Sequence, residues 1–209
     1  MLKRIFLFAL LIGLAAPAMA QGGPTPPPAQ PRVILDTSKG RIVVEVDIVH
    51  APITARNFLH YVDTRHYDGQ EFYRSMKTGE GIGLIQGGVR DGRLLFPPIA
   101  HEPTSRTGLS HVEGALSAPR AAVGTARADF TIMASPLPYL DAGPDSGSGD
   151  GLGYAVFGRV VEGMDVVRAI LNSPTSPTEG QGAMRGQMLH PRVRILTARR
   201  VPVPRPTRR

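Results

Sequence analysis

The segment "RIVVEVDIVHAPITARNFLHYVD", residues 41–63, changes from one hydrophobic period to another within a few residues. Its first part alternates, with Ile42, Val44 and Val46 on one side of an extended chain, which predicts a half-buried strand. After Pro52, which suits a first helical turn, apolar residues recur at the spacing of a helix. The segment therefore predicts a strand followed by an amphipathic helix that covers one side of a core.

The sequence on either side adds short strands and one more helix. A tight turn at 38–40 joins residues 33–35 to the strand above, and residues 164–171 have the apolar spacing of a helix. Other short apolar runs, separated by glycine- and proline-rich turns, lie at residues 71–74, 82–86, 115–118, 130–133, 154–161 and 192–198. This pattern predicts a mainly β protein, a barrel or sandwich, and about eight strands with a helix at each open end favour the barrel.

The first residues have the order of a secretory signal. Lys3 and Arg4 precede an apolar run at 5–16 and a small-residue cleavage pattern at 18–20, so we expect a signal peptide over residues 1–20. A membrane anchor is the alternative, but the run is shorter than the ~20 apolar residues of a spanning helix. We therefore expect an exported protein without stable membrane insertion after cleavage, located in the periplasm where a second membrane exists.

Composition divides the remaining chain into three parts. Residues 21–31 are rich in proline and glycine and are typical of a linker, residues 32–201 form one domain, and residues 202–209 predict a basic disordered tail. The chain has no cysteine, which excludes disulfides, thiol nucleophiles and thiolate metal sites. A packed core must therefore stabilise the domain.

The net charge of +7 is concentrated at the two ends of the chain. Removing the predicted signal leaves 22 basic against 17 acidic residues. The excess equals five arginines in the acid-free C-terminal segment, at positions 199, 200, 205, 208 and 209. A neutral body with a basic end does not predict a nucleic-acid-binding surface, which needs clustered cations on a folded face.

The sequence lacks the complete motifs of several common cofactor and metal sites. The glycine-rich stretches at 79–83 and 149–153 lack the Lys-Ser/Thr pair of a phosphate loop, and 145–151 lacks the ligands of a calcium loop. The six histidines have no HExxH spacing, and no serine lies in a GxSxG sequence. We therefore predict no metal, no cofactor and no hydrolase chemistry.

Five blocks occur in an order that resembles one enzyme family. They are "FYR" at 72–74, "IQGG" at 85–88, "GALSAPR" at 114–120, "ADFTIM" at 128–133 and "GYAVFGRVVEGMDVV" at 153–167. Together they resemble the cyclophilin-type peptidyl-prolyl cis-trans isomerases, and the exported bacterial branch looks closest. The resemblance covers residues 32–201 and implies a closed eight-stranded antiparallel β-barrel capped by two α-helices.

The resemblance also implies an activity that needs no cofactor. It is rotation about X-Pro bonds of proline-containing polypeptides, by a monomer that assists the folding of exported proteins. The barrier is ~18–20 kcal/mol because the amide bond is conjugated. Rotation returns a lone pair to the prolyl nitrogen, so a fixed donor aimed at that nitrogen is stronger in the transition state. By resemblance Arg74 supplies this donor, and Gln86 bonds the substrate backbone.

The remaining site residues follow from the resemblance alone. The residues implied to contact substrate are Phe72, Gly83, Leu84, Arg120, Ala121, Asp129, Phe130, Thr131 and Tyr154. Gly83 and Thr131 stand where the family has pocket phenylalanines, and Asp129 stands where it commonly has glutamine. The chain is also about four residues longer between Arg74 and Gln86, with "KTGEG" inserted. We expect weaker proline binding and poor affinity for cyclosporin; the alternative function is a non-catalytic or weakly active peptide-binding or chaperone module.

Overall fold

The computed structural model describes residues 29–202, so the predicted signal peptide, most of the linker and residues 203–209 lie outside the described residues. The strands are β1 Arg32–Thr37, β2 Gly40–Val46, β3 Glu71–Gly79, β4 Ile82–Gly88, β5 Ala115–Ala118, β6 Phe130–Met133, β7 Ala155–Glu162, β8 Thr175–Ser176 and β9 Met188–Arg200. The helices are α1 Pro52–Asp63, α2 Thr104–Thr107 and α3 Met164–Leu171. Short 3₁₀ turns occur at Gly92–Leu94, Pro138–Leu140 and Gly182–Met184.

Eight of these strands close into an antiparallel barrel. The hydrogen-bonded order is β1-β2-β7-β5-β6-β4-β3-β9, and β9 returns to pair with β1. The two-residue β8 adds to the free edge of β9 and lies outside the closed ring. The predicted closed eight-stranded barrel is confirmed, and closure removes the unpaired edges that an open sheet would expose.

One helix covers each opening of the barrel, as the two hydrophobic patterns predicted. Helix α1 follows β2 and packs against β7 and β9, whereas α3 follows β7 and packs against β2, β3 and β4. The buried sides of the two helices carry the apolar residues at helical spacing, among them Phe58, Leu59, Ile170 and Leu171. The one-turn helix α2 was not predicted.

Aromatic side chains fill the barrel beneath α1. The ring of Phe130 meets the rings of Phe58 and Phe72 edge to face, with centroids 5.4 and 5.5 Å apart, and Phe157 lies 5.3 Å from Phe58. Such contacts add stabilisation beyond the burial of the apolar surface. This cluster therefore anchors both the helix and the strands that carry the candidate site.

Both ends of the described chain are tied to the barrel. Gln30, at the end of the predicted linker, accepts a hydrogen bond from the Ile48 amide and donates to Asp47. Arg199 and Arg200, which the sequence placed in an acid-free basic segment, lie in β9 and pair with Asp68 and Asp63. These two charges are therefore neutralised within the folded domain.

Among residues 29–202, no helix has the length and apolar character that crossing a bilayer requires.

Candidate active site

A groove of ≈ 850 Å³ lies on the outer face of the barrel, over the strands β3, β4, β5 and β6. The predicted site residues that line it are Arg74, Leu84, Gln86, Arg120, Ala121, Asp129, Thr131 and Tyr154. They come from five separate regions of the sequence and meet because Gln86 pairs in register with Thr131, and Thr131 with Ser117. Neighbouring residues on these strands point into the barrel instead.

A β-bulge brings Arg74 onto the groove face. Residues two apart on a regular strand share a face, yet Phe72 is buried in the core while Arg74 lines the groove. The register of β3 against both neighbours shifts between these two residues, which leaves Tyr73 as the extra residue. The bulge therefore lets one short strand serve the core and the site.

Two glutamines hold the Arg74 guanidinium. Its Nη1 donates to Gln86 Oε1 at 2.9 Å, and its Nε donates to Gln187 Oε1 at 2.8 Å. Burial lowers the pKa of Arg74, but an arginine stays charged in a protein. Within residues 29–202 the Nη2 atom makes no hydrogen bond, so it remains a free donor on a fixed side chain.

A second layer of polar groups fixes Gln86. Its Nε2 donates to Tyr73 Oη at 2.6 Å and to Asp129 Oδ2 at 3.3 Å. The Tyr73 hydroxyl in turn donates to Asp129 Oδ2 at 2.7 Å. Burial raises the pKa of Asp129, and burial together with the nearby Asp129 charge raises the pKa of Tyr73 well above its usual range. Tyr73 therefore remains a hydrogen-bond donor at neutral pH.

Arg120 lines the groove, but its guanidinium hydrogen-bonds to the surrounding loop. Its two terminal nitrogens form a bidentate pair with Asp150 at 2.7 and 2.9 Å, and it also donates to the Gly153 carbonyl. This pair holds the pKa of Asp150 well below its usual range. Only 1% of the Arg120 side chain is exposed, so its main effect is to hold the loop before Tyr154.

Three predicted contact residues do not line the groove. Phe72 and Phe130 face the barrel interior, where their rings pack on each other. Gly83 has φ +153°, and a Cβ there would lie 2.0 Å from the Met76 carbonyl oxygen. A phenylalanine cannot occupy that backbone position without moving β3, because Gly83 pairs with Lys77 across the extended hairpin and lies against the preceding Met76 carbonyl. The inserted residues lengthen β3 to Gly79 and form the tight turn at 80–81 before β4, rather than a loose loop.

The apolar wall of the groove comes mainly from residues that the sequence did not single out. Met76, Tyr139, Leu140 and Met184 line it beside Leu84. Tyr139 and Met184 are 44% and 40% exposed, so they remain open to a ligand. These residues lie on β3 and in two 3₁₀ turns far apart in sequence, and no periodic pattern marks the turns.

A hydrogen-bonded chain links Ser117 in the groove floor to His111 beneath it and to Asp141. His111 Nε2 meets Ser117 Oγ at 2.8 Å, and His111 Nδ1 meets Asp141 Oδ1 at 2.6 Å. The order matches that of serine hydrolases. Ser117 is only 1% exposed, however, so its hydroxyl is closed to an electrophile and the chain stabilises the floor. In the described part of the chain, no three His, Asp or Glu residues cluster as metal ligands.

The arrangement provides one directed cationic donor beside an apolar wall. Among the groove residues of the described chain, the hydroxyl that is paired with a histidine is the buried Ser117, so the site is suited to a reaction in which charge develops without covalent attack. A rotating amide nitrogen is such a group.

Comparison with known proteins gives consistent results over nearly the whole described chain. The family model described as "Cyclophilin type peptidyl-prolyl cis-trans isomerase/CLD" matches residues 32–199. The Streptomyces antibioticus peptidyl-prolyl cis-trans isomerase cyp18 is 37% identical over 153 residues, 71% of this chain and 87% of that protein. A peptidyl-prolyl cis-trans isomerase of Acinetobacter baylyi is 34% identical over 181 residues, 84% of this chain and 86% of the relative.

Solved structures share the fold at lower identity. A crystal structure of a Cryptosporidium parvum cyclophilin-type isomerase covers 84% of this chain and 99% of its own, with TM-score 0.65 and 20% identity. A second structure of that protein, in the presence of the dipeptide Ala-Pro, has TM-score 0.64 and 20% identity, and covers 82% of this chain and 99% of its own.

Proposed function

This chain belongs to the cyclophilin-type peptidyl-prolyl cis-trans isomerases, and we propose that its Arg74 groove accelerates X-Pro rotation in exported proteins as they fold. The geometry of Arg74 is the main support for placing the active site in this groove. Its guanidinium is held by Gln86 and Gln187 and keeps a free donor beside an apolar wall.

The proposed mechanism uses Arg74 as a fixed donor to the prolyl nitrogen. That nitrogen is a poor acceptor while the amide is conjugated and a better one when the bond is half-rotated, so the hydrogen bond favours the transition state. Such a bond from a charged group is worth roughly 1.5–3 kcal/mol, or about 10- to 150-fold in rate. The remaining acceleration would come from orientation of the peptide in the groove.

Gln86 acts through Arg74 in this proposal. Its oxygen accepts from Arg74, and its nitrogen donates to Tyr73 and Asp129, so the side-chain amide is fully engaged before substrate binds. It is therefore a positioning residue rather than a direct contact with the substrate backbone.

Proline would bind against the apolar wall formed by Leu84, Met76, Tyr139 and Leu140. The solved Cryptosporidium parvum relative in the presence of Ala-Pro supports a proline-containing ligand for this fold. Thr131 gives its hydroxyl to the Ser117 carbonyl and supplies no ring. We therefore infer a higher KM than that of relatives with an aromatic residue there, and poor affinity for cyclosporin for the same reason.

NMR exchange spectroscopy on a prolyl tetrapeptide tests the assignment of Arg74. Arg74→Ala and Arg74→Lys should each lower kcat/KM by about 10-fold or more, because a lysine keeps the charge but lacks the guanidinium fork. Arg194→Ala, which changes an exposed arginine outside the groove, is the matched control. Equal rates for wild type and Arg74→Ala would overturn the assignment.

A peptide-binding or chaperone function without significant catalysis is the second candidate. It is favoured by Gly83 and Thr131, which leave the groove without the two rings that the resemblance implied. This function predicts peptide binding and suppression of client aggregation that survive Arg74→Ala. Absence of proline-peptide binding at millimolar concentration would exclude it.

Export is proposed from the signal-like sequence of residues 1–20. The protein made in its own cells should begin at Gln21 and, where a second membrane exists, be released with the periplasmic fraction. N-terminal sequencing of the purified protein measures this directly. A chain that retains Met1 and stays with the cytoplasm would show that the proposal is wrong.

A further inference from the structure

Two arginines that line the groove near Asp129 have no acidic partner. Arg120 pairs with Asp150 and Arg74 is held by glutamines, but neither Arg90 nor Arg127 forms an ion pair within residues 29–202. Both line the groove and are exposed. Nine other arginines of the described chain form ion pairs and six others do not, but of those six only Arg74 lines the groove.

The two arginines project from anchored backbone. The Arg90 amide donates to Gln70 Oε1, and the Arg90 guanidinium carbon lies 4.5 Å from the centroid of the Tyr73 ring. The Arg127 carbonyl accepts from the Asn57 side chain on α1. A cation held over an aromatic face loses less freedom on binding an anion than a free surface arginine does.

The groove's own carboxylate does not neutralise these charges. Asp129 is the acidic residue among the lining residues of the described chain, and it accepts hydrogen bonds from Tyr73 and Gln86. Arg90 lies close enough to offset part of the rise in the pKa of Asp129, but it forms no ion pair with it. The guanidinium donors of these two arginines therefore stay available to a ligand.

We propose that Arg90 and Arg127 form a subsite for a carboxylate side chain of the substrate, an aspartate or glutamate near the isomerised proline. This inference rests on the proposed function, since it assigns a specificity to the same groove. Guanidinium groups bind carboxylates through paired hydrogen bonds, and two of them beside one groove favour an acidic residue over its amide.

The spacing limits where the acidic residue lies in the substrate. Gln86, which holds Arg74, and Arg90 are four residues apart in sequence, so their backbones are at most ~13 Å apart, the length of a fully extended chain. A glutamate and an arginine side chain each cover part of that distance. The carboxylate is therefore expected two or three residues from the proline.

Peptide pairs that differ only by Glu or Gln test the subsite. Each pair places the residue two or three positions before or after proline, and kcat/KM is measured by NMR exchange at about 50 mM and about 500 mM NaCl. We expect wild type to prefer Glu by about 10-fold in one pair, and the preference to shrink at high salt because the charges are screened. The variants are Arg90→Gln/Arg127→Gln and, as the charge-matched control, Arg56→Gln/Arg194→Gln.

The Arg90→Gln/Arg127→Gln variant should lose the preference for Glu, while its kcat/KM for the Gln peptide stays within about twofold of wild type. Arg127→Gln alone should lose part of the preference, and it leaves the contact between Arg90 and the Tyr73 ring in place. The control variant should keep the preference. Equal rates for Glu and Gln in every pair, or equal loss in the control variant, would overturn the subsite while leaving the isomerase assignment intact. If wild type isomerises no peptide, the proposed function fails, and titrating the same peptides by NMR still decides whether the Glu form binds more tightly through these arginines.

Discussion

The inner and outer faces of strand β6 differ although their residues are adjacent in sequence. Phe130 is fully buried and packs in the aromatic cluster of the barrel, whereas Thr131 lines the groove and donates its hydroxyl to Ser117. The same contrast holds on β4, where Ile85 is buried in the barrel and Gln86 belongs to the polar network. Fold and function thus occupy alternate positions of the same strands, and a substitution should affect one with little effect on the other.

The strongest test of this separation is Phe130→Ala. Removal of the ring from the aromatic cluster should lower the free energy of unfolding by ~3–5 kcal/mol, because it leaves a cavity in a closed core. Thr131→Ala, one residue on, should cost only about 1 kcal/mol for its lost hydrogen bond. Urea denaturation measures both; similar losses for the two variants would break the comparison.

The outer face is tested next by Gln86→Leu, which keeps the size of the side chain and removes its hydrogen bonds. Arg74 would lose one of its two anchors, so kcat/KM should fall by about 10-fold, equivalent to ~1.4 kcal/mol. If Gln86 acts only through Arg74, adding Gln86→Leu to Arg74→Ala should cause little further loss. Fully additive effects would instead indicate a direct contact between Gln86 and substrate.

Thr131→Phe would make the outer face resemble the inner one. A ring in the groove should lower KM for a prolyl peptide by about fivefold, since the apolar contact outweighs the lost hydroxyl bond. Thr131→Val, which removes the hydroxyl without adding a ring, is the control and should leave KM close to that of wild type. An unchanged KM in the phenylalanine variant would mean that proline binds elsewhere in the groove.

The smallest expected effect concerns His111 beneath the groove floor. Burial lowers its pKa below the ordinary value near 6.5, so the folded protein favours the neutral ring. The stability from this group is full above pH ~6.5 and is lost as the pH falls below that value. The urea midpoint should therefore drop between about pH 8 and pH 5, and drop less in His111→Asn. An equal drop in both proteins would assign the pH dependence to other groups.

Local patterns predicted the elements that depend on nearby residues. The bounds of α1 and α3 agree with their periodicity, because one buried face defines each helix, and the bounds of β5 and β6 agree with short apolar runs that are buried along their whole length. Arg74 and Gln86 were identified from short motifs, and they meet because their strands pair in register.

The parts that the sequence did not predict depend on contacts between distant residues. Gln187 lies 113 residues from the Arg74 that it holds, and nothing in its local sequence marks this role. The bulge at Tyr73 is a register shift, which hydrophobic alternation cannot reveal. The resemblance assigned Gly83 to the groove, whereas its backbone lies too close to the Met76 carbonyl for any side chain.

The closing strand β9 has a consequence for the order of folding. It pairs with β1, β3 and β8, so the first and last strands of the barrel are neighbours, and the Val201 amide bonds the Arg32 carbonyl. Contacts between residues this far apart in sequence form slowly, because a long loop must close first. A chain that emerges amino end first from a ribosome or a membrane channel therefore holds an open sheet until residues 188–200 are free. The barrel, and with it the anchor that Gln187 gives to Arg74, is completed only after nearly all of the domain has emerged.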